Sequence, residues 1–414
     1  MRPEVASKVF VVKKFIHDHW NDTVRTSSPN DVVEIRLPYP FSVPTAGPVF
    51  HMFFYWDTYF INEGLLRDGQ HEQARHNVDD VLFMIDSFGY MPNFVGKGGM
   101  TRSQPPVASC MVRALYEFKK DDVWLRAAYA TLEKEYLFWM SKRKGPRGLN
   151  HYGSSESTAE IAEFGNYVEK RIIRIPKART ERSAFMYHAS AEAESGWDFT
   201  PRFKRRCLDF YAVDLNSLLF AFENNMAESS RILKNGQSNT WEMAAVQRSQ
   251  LMNQYCWDDG TGCFYDYDAA RQHRSSIMTA ATLFPLWLGL ASKQQAERIH
   301  QNILSLELEH GIVTCVPGAG HDGETYQWDA PNGWPPLQFT AIAGCLRYGF
   351  SDTAKRLAEK YLSCVTINFI RTGNLWEKYN VITGGIDTAN EYGLPPMLGW
   401  TAGTFLYACD VLGL

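Results

Sequence analysis

The feature of this 414-residue chain that most constrains its fold is the alternation of short and long gaps between helical segments. Apolar residues recur at three- and four-residue steps, a pattern typical of amphipathic helices. The predicted helices span residues 4–20, 56–67, 71–88, 105–119, 122–140, 206–231, 238–256, 276–290, 294–308, 336–348, 352–370 and 396–411. If consecutive helices run antiparallel, all the long connections emerge at the same end of the molecule.

This alternation predicts an all-α fold of the (α/α)6 toroid type, with six inner helices, six outer helices and a cleft formed by long loops at one end. A less regular helical array is the alternative. No Pro-rich or Gly/Ser-rich linker interrupts the pattern, so we expect residues 1–414 to form a single domain. The long connections are 21–55, 89–104, 141–205, 257–275, 309–335 and 371–395, of which 141–205 has room for a short helix or hairpin of its own. Binding and catalytic residues concentrate in such loops.

Charge, hydropathy and cysteine usage exclude several classes of protein. The net charge of −4 argues against a nucleic-acid binder, and no apolar run approaches the length of a membrane span. The N-terminal residues lack the apolar core of a signal peptide. The eight cysteines stand singly, with no Cys-x-x-Cys pair, which favours free buried thiols in a reducing compartment. We therefore expect a cytoplasmic protein without nucleic-acid or membrane partners.

Aromatic residues make up 14% of the chain, and many stand beside polar residues in the long loops. Residues 53–59 read Phe-Phe-Tyr-Trp-Asp-Thr-Tyr, and residues 327–336 read Gln-Trp-Asp-Ala-Pro-Asn-Gly-Trp-Pro-Pro. A carboxylate among flat rings can bind sugar hydroxyls while a ring stacks against the apolar face of the sugar. Arg102 and Gln104, just before a helix, could add hydrogen-bond donors. The alternatives are a capping Asp57 with core aromatics, exposed polar side chains at 102–104, and a structural role for 327–336.

Carboxylates in two further loops suit acid–base chemistry. Asp198 lies between aromatic residues in Glu-Ser-Gly-Trp-Asp-Phe (194–199), and an apolar setting disfavours ionisation, as a general acid requires. The last long loop supplies Glu377, in Leu-Trp-Glu-Lys-Tyr-Asn (375–380), and Glu391. A hydrogen-bonded structural role for Asp198 and a solvated Glu–Lys pair at Glu377 are the alternatives.

Other chemistries find less support. No glycine-rich nucleotide motif and no Gly-x-Ser-x-Gly motif occurs. Residues 258–268 superficially resemble a calcium loop, but they lack its ligand spacing and closing Glu, so we predict a turn and a short hairpin. His17 and His19 are expected on an exposed helix face. We expect neither a metal nor an organic cofactor.

Together these motifs resemble those of the trehalases of glycoside hydrolase family 37. Residues 327–336 match one signature of that family closely, and Tyr-Trp-Asp-Thr-Tyr (55–59) is similar to the end of another. Arg-Ser-Gln-Pro-Pro (102–106), the Asp198 motif and Glu-Lys-Tyr (377–379) are also similar to family motifs, in the same order. The resemblance spans residues 43–403 and implies an (α/α)6 toroid.

The resemblance implies that Asp198 is the general acid and Glu377 the general base of an inverting α-glycoside hydrolase that needs no cofactor. It also implies sugar contacts by seven residues, namely Trp56, Asp57, Asn93, Arg102, Gln327, Trp328 and Glu391. The full set of expected substrate-binding residues is Tyr55, Trp56, Asp57, Asn93, Arg102, Gln104, Trp197, Gln327, Trp328, Asp329, Asn332, Trp334, Glu391 and Trp400.

Two stretches of the chain depart from the family pattern. The arginine of a Pro-Gly-Gly-Arg-Phe stretch is absent from residues 44–50, and residues 150–156 lie where an Arg-Pro-Glu-Ser stretch is usual. The expected substrate is accordingly α,α-trehalose or a close α-glucoside. The alternatives are another small α-glycoside, such as glucosylglycerol, glucosylglycerate or mannosylglycerate, and a sugar-binding protein without catalytic activity. For inversion, the two carboxyl groups are expected about 6.5–9.5 Å apart.

Overall fold

The structure, a computed structural model, describes residues 3–27, 35–47, 49–171, 174–318 and 323–414. Parts of the predicted long connections 21–55, 141–205 and 309–335 lie outside these ranges. The helices are α1 (Pro3–His19), α2 (Tyr55–Arg67), α3 (His71–Phe88), α4 (Ala108–Lys119), α5 (Asp122–Lys142), α6 (Thr158–Val168), α7 (Arg179–Glu194), α8 (Val213–Leu233), α9 (Ser238–Tyr255), α10 (Phe284–Trp287), α11 (Lys293–Asn302), α12 (Pro335–Arg347), α13 (Ser351–Thr372) and α14 (Gly399–Leu412).

Six of these helices pack in a closed ring. In chain order, α2 contacts α4, α4 contacts α8, α8 contacts α10, α10 contacts α12, α12 contacts α14, and α14 returns to α2. Around them lie α1, α3, α5, α9, α11 and α13; α1 packs on α13, α3 on α5, and α9 on α8. The (α/α)6 toroid predicted from the alternation of loop lengths is confirmed.

The ring closes where two glycines face each other across α2 and α14. A Cβ added at Gly64 would lie 2.8 Å from the Cα of Gly403, and one added at Gly403 would overlap the carbonyl oxygen of Phe60. Glycine at both positions therefore lets the two backbones approach. One apolar cluster extends from Val9 in α1 to Cys409 in α14.

The 141–205 connection contains two helices, α6 and α7, which pack on each other. A satellite apolar cluster lies between them and includes Ile161, Val168, Phe185 and Met186. Helix α6 begins with a capping box, in which Ser157 and Glu160 satisfy each other's backbone N–H groups.

Three predicted helices are shorter in the structure. The segment predicted as 206–231 becomes helical only at Val213, because residues 207–211 form a 3-10 turn and a strand whose apolar side chains are buried without a helix. The 276–290 segment is helical only over 280–287, and α11 gives way to a 3-10 turn at Ile303–Ser305.

The strands are short and serve to join loops. They are β1 (Val24–Arg25), β2 (Phe41–Ser42), β3 (Phe210–Tyr211), β4 (Trp257–Asp258), β5 (Cys263–Phe264), β6 (Tyr267–Asp268), β7 (His273–Arg274), β8 (Glu307–Leu308), β9 (Gly311–Ile312), β10 (Asn332–Gly333) and β11 (Tyr379–Asn380). The antiparallel β4–β5 pair confirms the turn and short hairpin predicted at 258–268, and β6–β7 forms a second pair next to it. The β10–β11 pair ties together the two loops that hold residues 327–336 and Glu377. Among the described residues, no helix has the length and apolar character of a membrane span.

Candidate active site

The described residues of the toroid enclose a cavity of about 730 Å³, a volume typical of small-ligand sites. Five of the six long connections, together with the adjoining helix ends, contribute to its wall, whereas the described residues of 257–275 do not. The residues predicted for the site that line the cavity are Trp56, Asp57, Asn93, Arg102, Gln104, Asp198, Gln327, Trp328, Trp334, Glu377 and Trp400.

Five other predicted residues are not among those lining the cavity, namely Tyr55, Trp197, Asp329, Asn332 and Glu391. The Tyr55 hydroxyl is buried and donates to Glu135 at 2.6 Å. The Asn332 amide donates to the carbonyl oxygen of Gln327 at 2.8 Å, and the carboxylate of Asp329 accepts from the backbone of the next residue at 2.7 Å. These three side chains support the wall of the cavity from behind.

Three indole rings, here called the indole stack, run behind and along one wall. Trp328 stacks on Trp334 with ring centroids 3.8 Å apart and on Trp197 at 5.4 Å. The guanidinium of Arg202 lies 4.5 Å from the Trp197 ring, and the ammonium of Lys378 lies 4.5 Å from the Trp334 ring. Both ends of the stack thus carry a buried cation against an aromatic face. The stack joins the loop of Asp198 to the loop of Glu377.

The surroundings of Asp198 differ from the apolar setting expected from its sequence neighbours. Its side chain is 25% exposed and forms an ion pair with Arg171, Nη1 to Oδ2, at 2.7 Å. The ring of Trp197 points away into the indole stack, and that of Phe199 is buried beside Arg171. Both flanking rings are engaged in other buried contacts, so they do not enclose the carboxylate.

Glu377 is held by two partners in a closed setting, with 2% of its side chain exposed. The Tyr392 hydroxyl donates to Oε1 at 2.5 Å, and the Lys378 ammonium donates to Oε2 at 2.6 Å. A buried carboxylate requires such a counter-charge and hydrogen bonds. The arrangement fits a carboxylate that accepts a proton.

Gln327 connects the two carboxylate loops. Its side-chain nitrogen donates to the carbonyl oxygen of Asp198 at 2.6 Å, and its side-chain oxygen lies 3.4 Å from the ammonium of Lys378. Its backbone N–H donates to Glu391 at 3.2 Å. Gln327 therefore positions the walls around both candidate catalytic groups as well as lining the cavity.

Burial shifts the protonation of two further acids near the cavity. Burial, with smaller contributions from the charges of Glu377 and Asp198, raises the pKa of Asp57 to about 8. Burial also raises the pKa of Glu391 to about 7, although its ion pair with Arg171 acts in the opposite direction.

Two further predicted polar residues of the cavity wall, Arg102 and Gln104, are partly engaged with the protein. Arg102 pairs with Glu156 at 2.7 Å and lies over the ring of Phe164. Its buried Nε has no hydrogen-bond partner among the described residues, so a ligand hydroxyl could supply one. The side-chain oxygen of Gln104 accepts from the backbone of Trp56 at 3.0 Å, which leaves its amide N–H₂ for a ligand.

Several lining residues were not predicted from the sequence, and the largest group of them lies in α6 and the turn after it, including Phe164, Tyr167 and Arg171. Tyr392, which also lines the cavity, directly follows the predicted Glu391. Its place beside Glu391 in that motif was the sequence feature that could have identified Tyr392 as a site residue. Arg171 lies in a basic stretch without a distinguishing pattern, so nothing local pointed to it. Among the described residues, no cluster of His, Cys, Asp and Glu has the arrangement of a metal site.

Comparison with solved structures places the fold among sugar-cleaving toroids. The neutral trehalase of Saccharomyces cerevisiae superposes with a TM-score of 0.78 at 25% identity, covering 97% of this chain and 80% of that one. A family 63 mannosylglycerate hydrolase from Thermus thermophilus has a TM-score of 0.66 at 17% identity, covering 95% and 99% of the two chains, and is similar in fold alone. A toroid of this kind, with two carboxylates in an aromatic-walled cavity, defines the protein as an (α/α)6 glycoside hydrolase.

Sequence comparison gives the family. Residues 4–413 match the trehalase family, and the chain is 32% identical to a periplasmic trehalase of Xanthomonas campestris over 95% of its own length and 72% of that relative. It is 31% identical to a periplasmic trehalase of Pseudomonas aeruginosa over 92% and 72% of the two chains. The chain belongs to the trehalase family.

These relatives correct one expectation. Because they are named periplasmic trehalases, the cytoplasmic location predicted from cysteine usage and the N-terminus is wrong. All eight cysteines are free in the structure, seven of them buried. Burial raises the pKa of the Cys263 thiol to about 11 and that of Cys345 to about 12, which leaves little reactive thiolate. Buried thiols of this kind are poor indicators of the redox compartment.

Proposed function

We propose that this protein hydrolyses α,α-trehalose with inversion at the attacked anomeric carbon, using Asp198 as general acid and Glu377 as general base. The observation that carries the proposal is that both carboxylates line the same aromatic-walled cavity in a member of the trehalase family. The hydrogen-bonding groups around them suit a small polyhydroxylated substrate. We also propose that residues 1–414 act as one catalytic domain, since a single apolar cluster reaches from α1 to α14.

The reaction is a single displacement. Protonated Asp198 gives its proton to the glycosidic oxygen, whose bond to the anomeric carbon breaks with the electron pair remaining on that oxygen. A water molecule forms the new bond from the opposite face and passes a proton to ionised Glu377. The leaving half of trehalose departs as α-glucose, and the attacked half becomes β-glucose.

Proton NMR of the anomeric signals during the first minutes of reaction tests this proposal. Equal initial amounts of α- and β-glucose from trehalose are expected, whereas a retaining enzyme would release α-glucose alone. The Asp198→Asn variant, purified in the same way, controls for contaminating hydrolases. If the protein does not hydrolyse trehalose but does hydrolyse a glycerol- or glycerate-linked α-glycoside, trehalose is not its substrate and the proposed mechanism applies to that glycoside instead.

A further inference from the structure

Arg171 makes an unusual set of contacts for a residue outside the family-like motifs. Its side chain is 5% exposed, and all three nitrogens of its guanidinium are bonded. Nη1 donates to Oδ2 of Asp198 at 2.7 Å, and Nη2 donates to the carbonyl oxygen of the same residue at 2.7 Å. Nε donates to Glu391 at 2.9 Å. The guanidinium therefore holds both the side chain and the backbone of Asp198.

We propose that Arg171 is the positioning residue for the proton donor, holding Oδ2 of Asp198 so that Oδ1 delivers the proton to the leaving oxygen. This inference rests on the proposed function, in which Asp198 is the general acid. Among the described residues, the hydrogen bonds to this carboxylate, from Arg171 and from Tyr167 at 3.4 Å, both reach Oδ2. Oδ1 is thus the oxygen left to carry the proton.

The same contact has an electrostatic consequence. When Asp198 gives up its proton, the carboxylate formed lies against a buried guanidinium, which stabilises the negative charge as it develops. Arg171 is held in turn by Glu391, and the ring of Tyr392 lies 5.1 Å from the guanidinium. Because the Tyr392 hydroxyl bonds Glu377, the chain of contacts from Arg171 reaches the proposed base as well.

The other ionisable groups facing Asp198 come from several elements, so the pH dependence must be assigned by substitution. These groups are Asp57 on α2, Tyr167 on α6, Glu192 on α7, and Glu391 and Tyr392 from the loop before α14. Arg171 is the cation in direct contact with the carboxylate. Its removal takes away a positive charge while leaving the acids in place.

The test compares Arg171→Met and Arg171→Lys with the wild type on two substrates. Trehalose needs a proton on its leaving group, whereas the fluoride of α-glucosyl fluoride departs without full protonation. For Arg171→Met we expect kcat/KM to fall about 100-fold on trehalose and roughly tenfold or less on the fluoride. Equal losses on both substrates would overturn the proposal.

The pH profile supplies an independent measure. Arg171→Met removes a positive charge in direct contact with the Asp198 carboxylate, so the alkaline limb of kcat/KM should shift in this variant. Arg171→Lys keeps the charge and should leave that limb near its wild-type position, with part of the trehalose activity retained. An alkaline limb that does not move in Arg171→Met would show that Arg171 has only a packing role.

Controls separate this inference from the proposed function. Arg174→Met removes an arginine three positions away that is 66% exposed and paired with Glu324, and it should behave as the wild type. If Arg171→Met does not fold, Arg171→Lys provides the test. One ammonium cannot replace both bonds to Asp198, so this variant should still lose more activity on trehalose than on the fluoride. A wild-type protein that cleaves neither substrate would refute the proposed function itself.

Discussion

Asp198 and Glu377 are held by opposite arrangements, and this difference defines their proposed roles. Asp198 is partly exposed and bonded at one oxygen by Arg171, whereas Glu377 is enclosed and bonded at both oxygens. The first arrangement leaves an oxygen to donate a proton, and the second steadies a charged base. A sequence motif identifies these residues, but their separate environments come from loops far apart in the chain.

Substitution of each carboxylate should give a distinct signature. We expect Asp198→Asn and Glu377→Gln each to lower kcat on trehalose by about 10²- to 10⁴-fold without loss of the folded state. On α-glucosyl fluoride, Asp198→Asn should regain activity because its leaving group needs little protonation, whereas Glu377→Gln should not. Steady-state kinetics and thermal melting measure both effects. A fluoride rescue of Glu377→Gln alone would reverse the two assignments.

Asp57 should make stability depend on pH. Its carboxyl ionises near pH 4 when unfolded but near pH 8 when folded, because burial raises its pKa. Between these values the folded protein holds a proton that the unfolded chain has released, so stability falls as pH rises. Relative to that of Asp57→Asn, the free energy of unfolding of the wild type should fall by up to about 1.4 kcal/mol per pH unit in this interval.

Chemical denaturation of both proteins at several pH values between these limits measures the difference. Asp259→Asn, at a carboxylate whose side chain is 89% exposed, is the matched control. A constant free-energy difference between wild type and Asp57→Asn across the interval would contradict the buried, protonated state of Asp57.

At the scale of elements, a buried ion cluster joins the start of α8 to the hairpin region and to the indole stack. Arg202, which is fully buried, bonds Asp214 through two nitrogens at 2.7 and 2.8 Å and bonds Asp266 likewise. Asp266 also accepts from the backbone of Val213, the first residue of α8. Because Arg202 covers the outer face of Trp197, the same cluster supports the wall of the cavity.

Removal of this cation should be costly. Arg202→Met leaves two buried carboxylates without their partner, and we expect unfolding free energy to fall by about 3–5 kcal/mol. Arg231→Met, which breaks an exposed pair with Glu242, should cost less than about 1 kcal/mol. Denaturant titration measures the free energy of unfolding of both variants. Similar losses in the two would show that burial of the ion cluster does not contribute to stability.

Comparison of predicted and observed element boundaries shows where the local apolar pattern fails to predict the structure. The periodicity at α2, α3, α5, α9, α12 and α13 predicted helices close to those observed. Each of these helices packs on a neighbouring helix through its apolar residues. The same apolar spacing at 207–211 is used instead by a 3-10 turn and a strand that pairs with β6. Whether such a segment becomes a helix or a strand depends on its packing against other segments. The local apolar pattern carries no information about that packing.

At the scale of the whole molecule, closure of the ring depends on the contact of α2 with α14. Gly403→Ala introduces a methyl group where the backbone of α2 lies. We therefore expect the free energy of unfolding to fall by at least about 1–3 kcal/mol, with a lower melting temperature. Gly393→Ala, where an added Cβ meets nothing within 4 Å, is the control. Equal melting temperatures for the two variants would show that the glycine contact does not limit ring closure.

By itself, the sequence predicted the helices of the toroid, the five long connections that contribute to the cavity wall and the motifs that mark the candidate site. These depend on apolar spacing and on short stretches of residues. Only the tertiary structure decided which side chains meet. Arg171 bonds Glu391 from 220 positions away, and three tryptophans from two loops stack together. Such contacts exist because closure of the helical ring brings the loops to one mouth, and no periodicity within a segment encodes which loop residues then face one another.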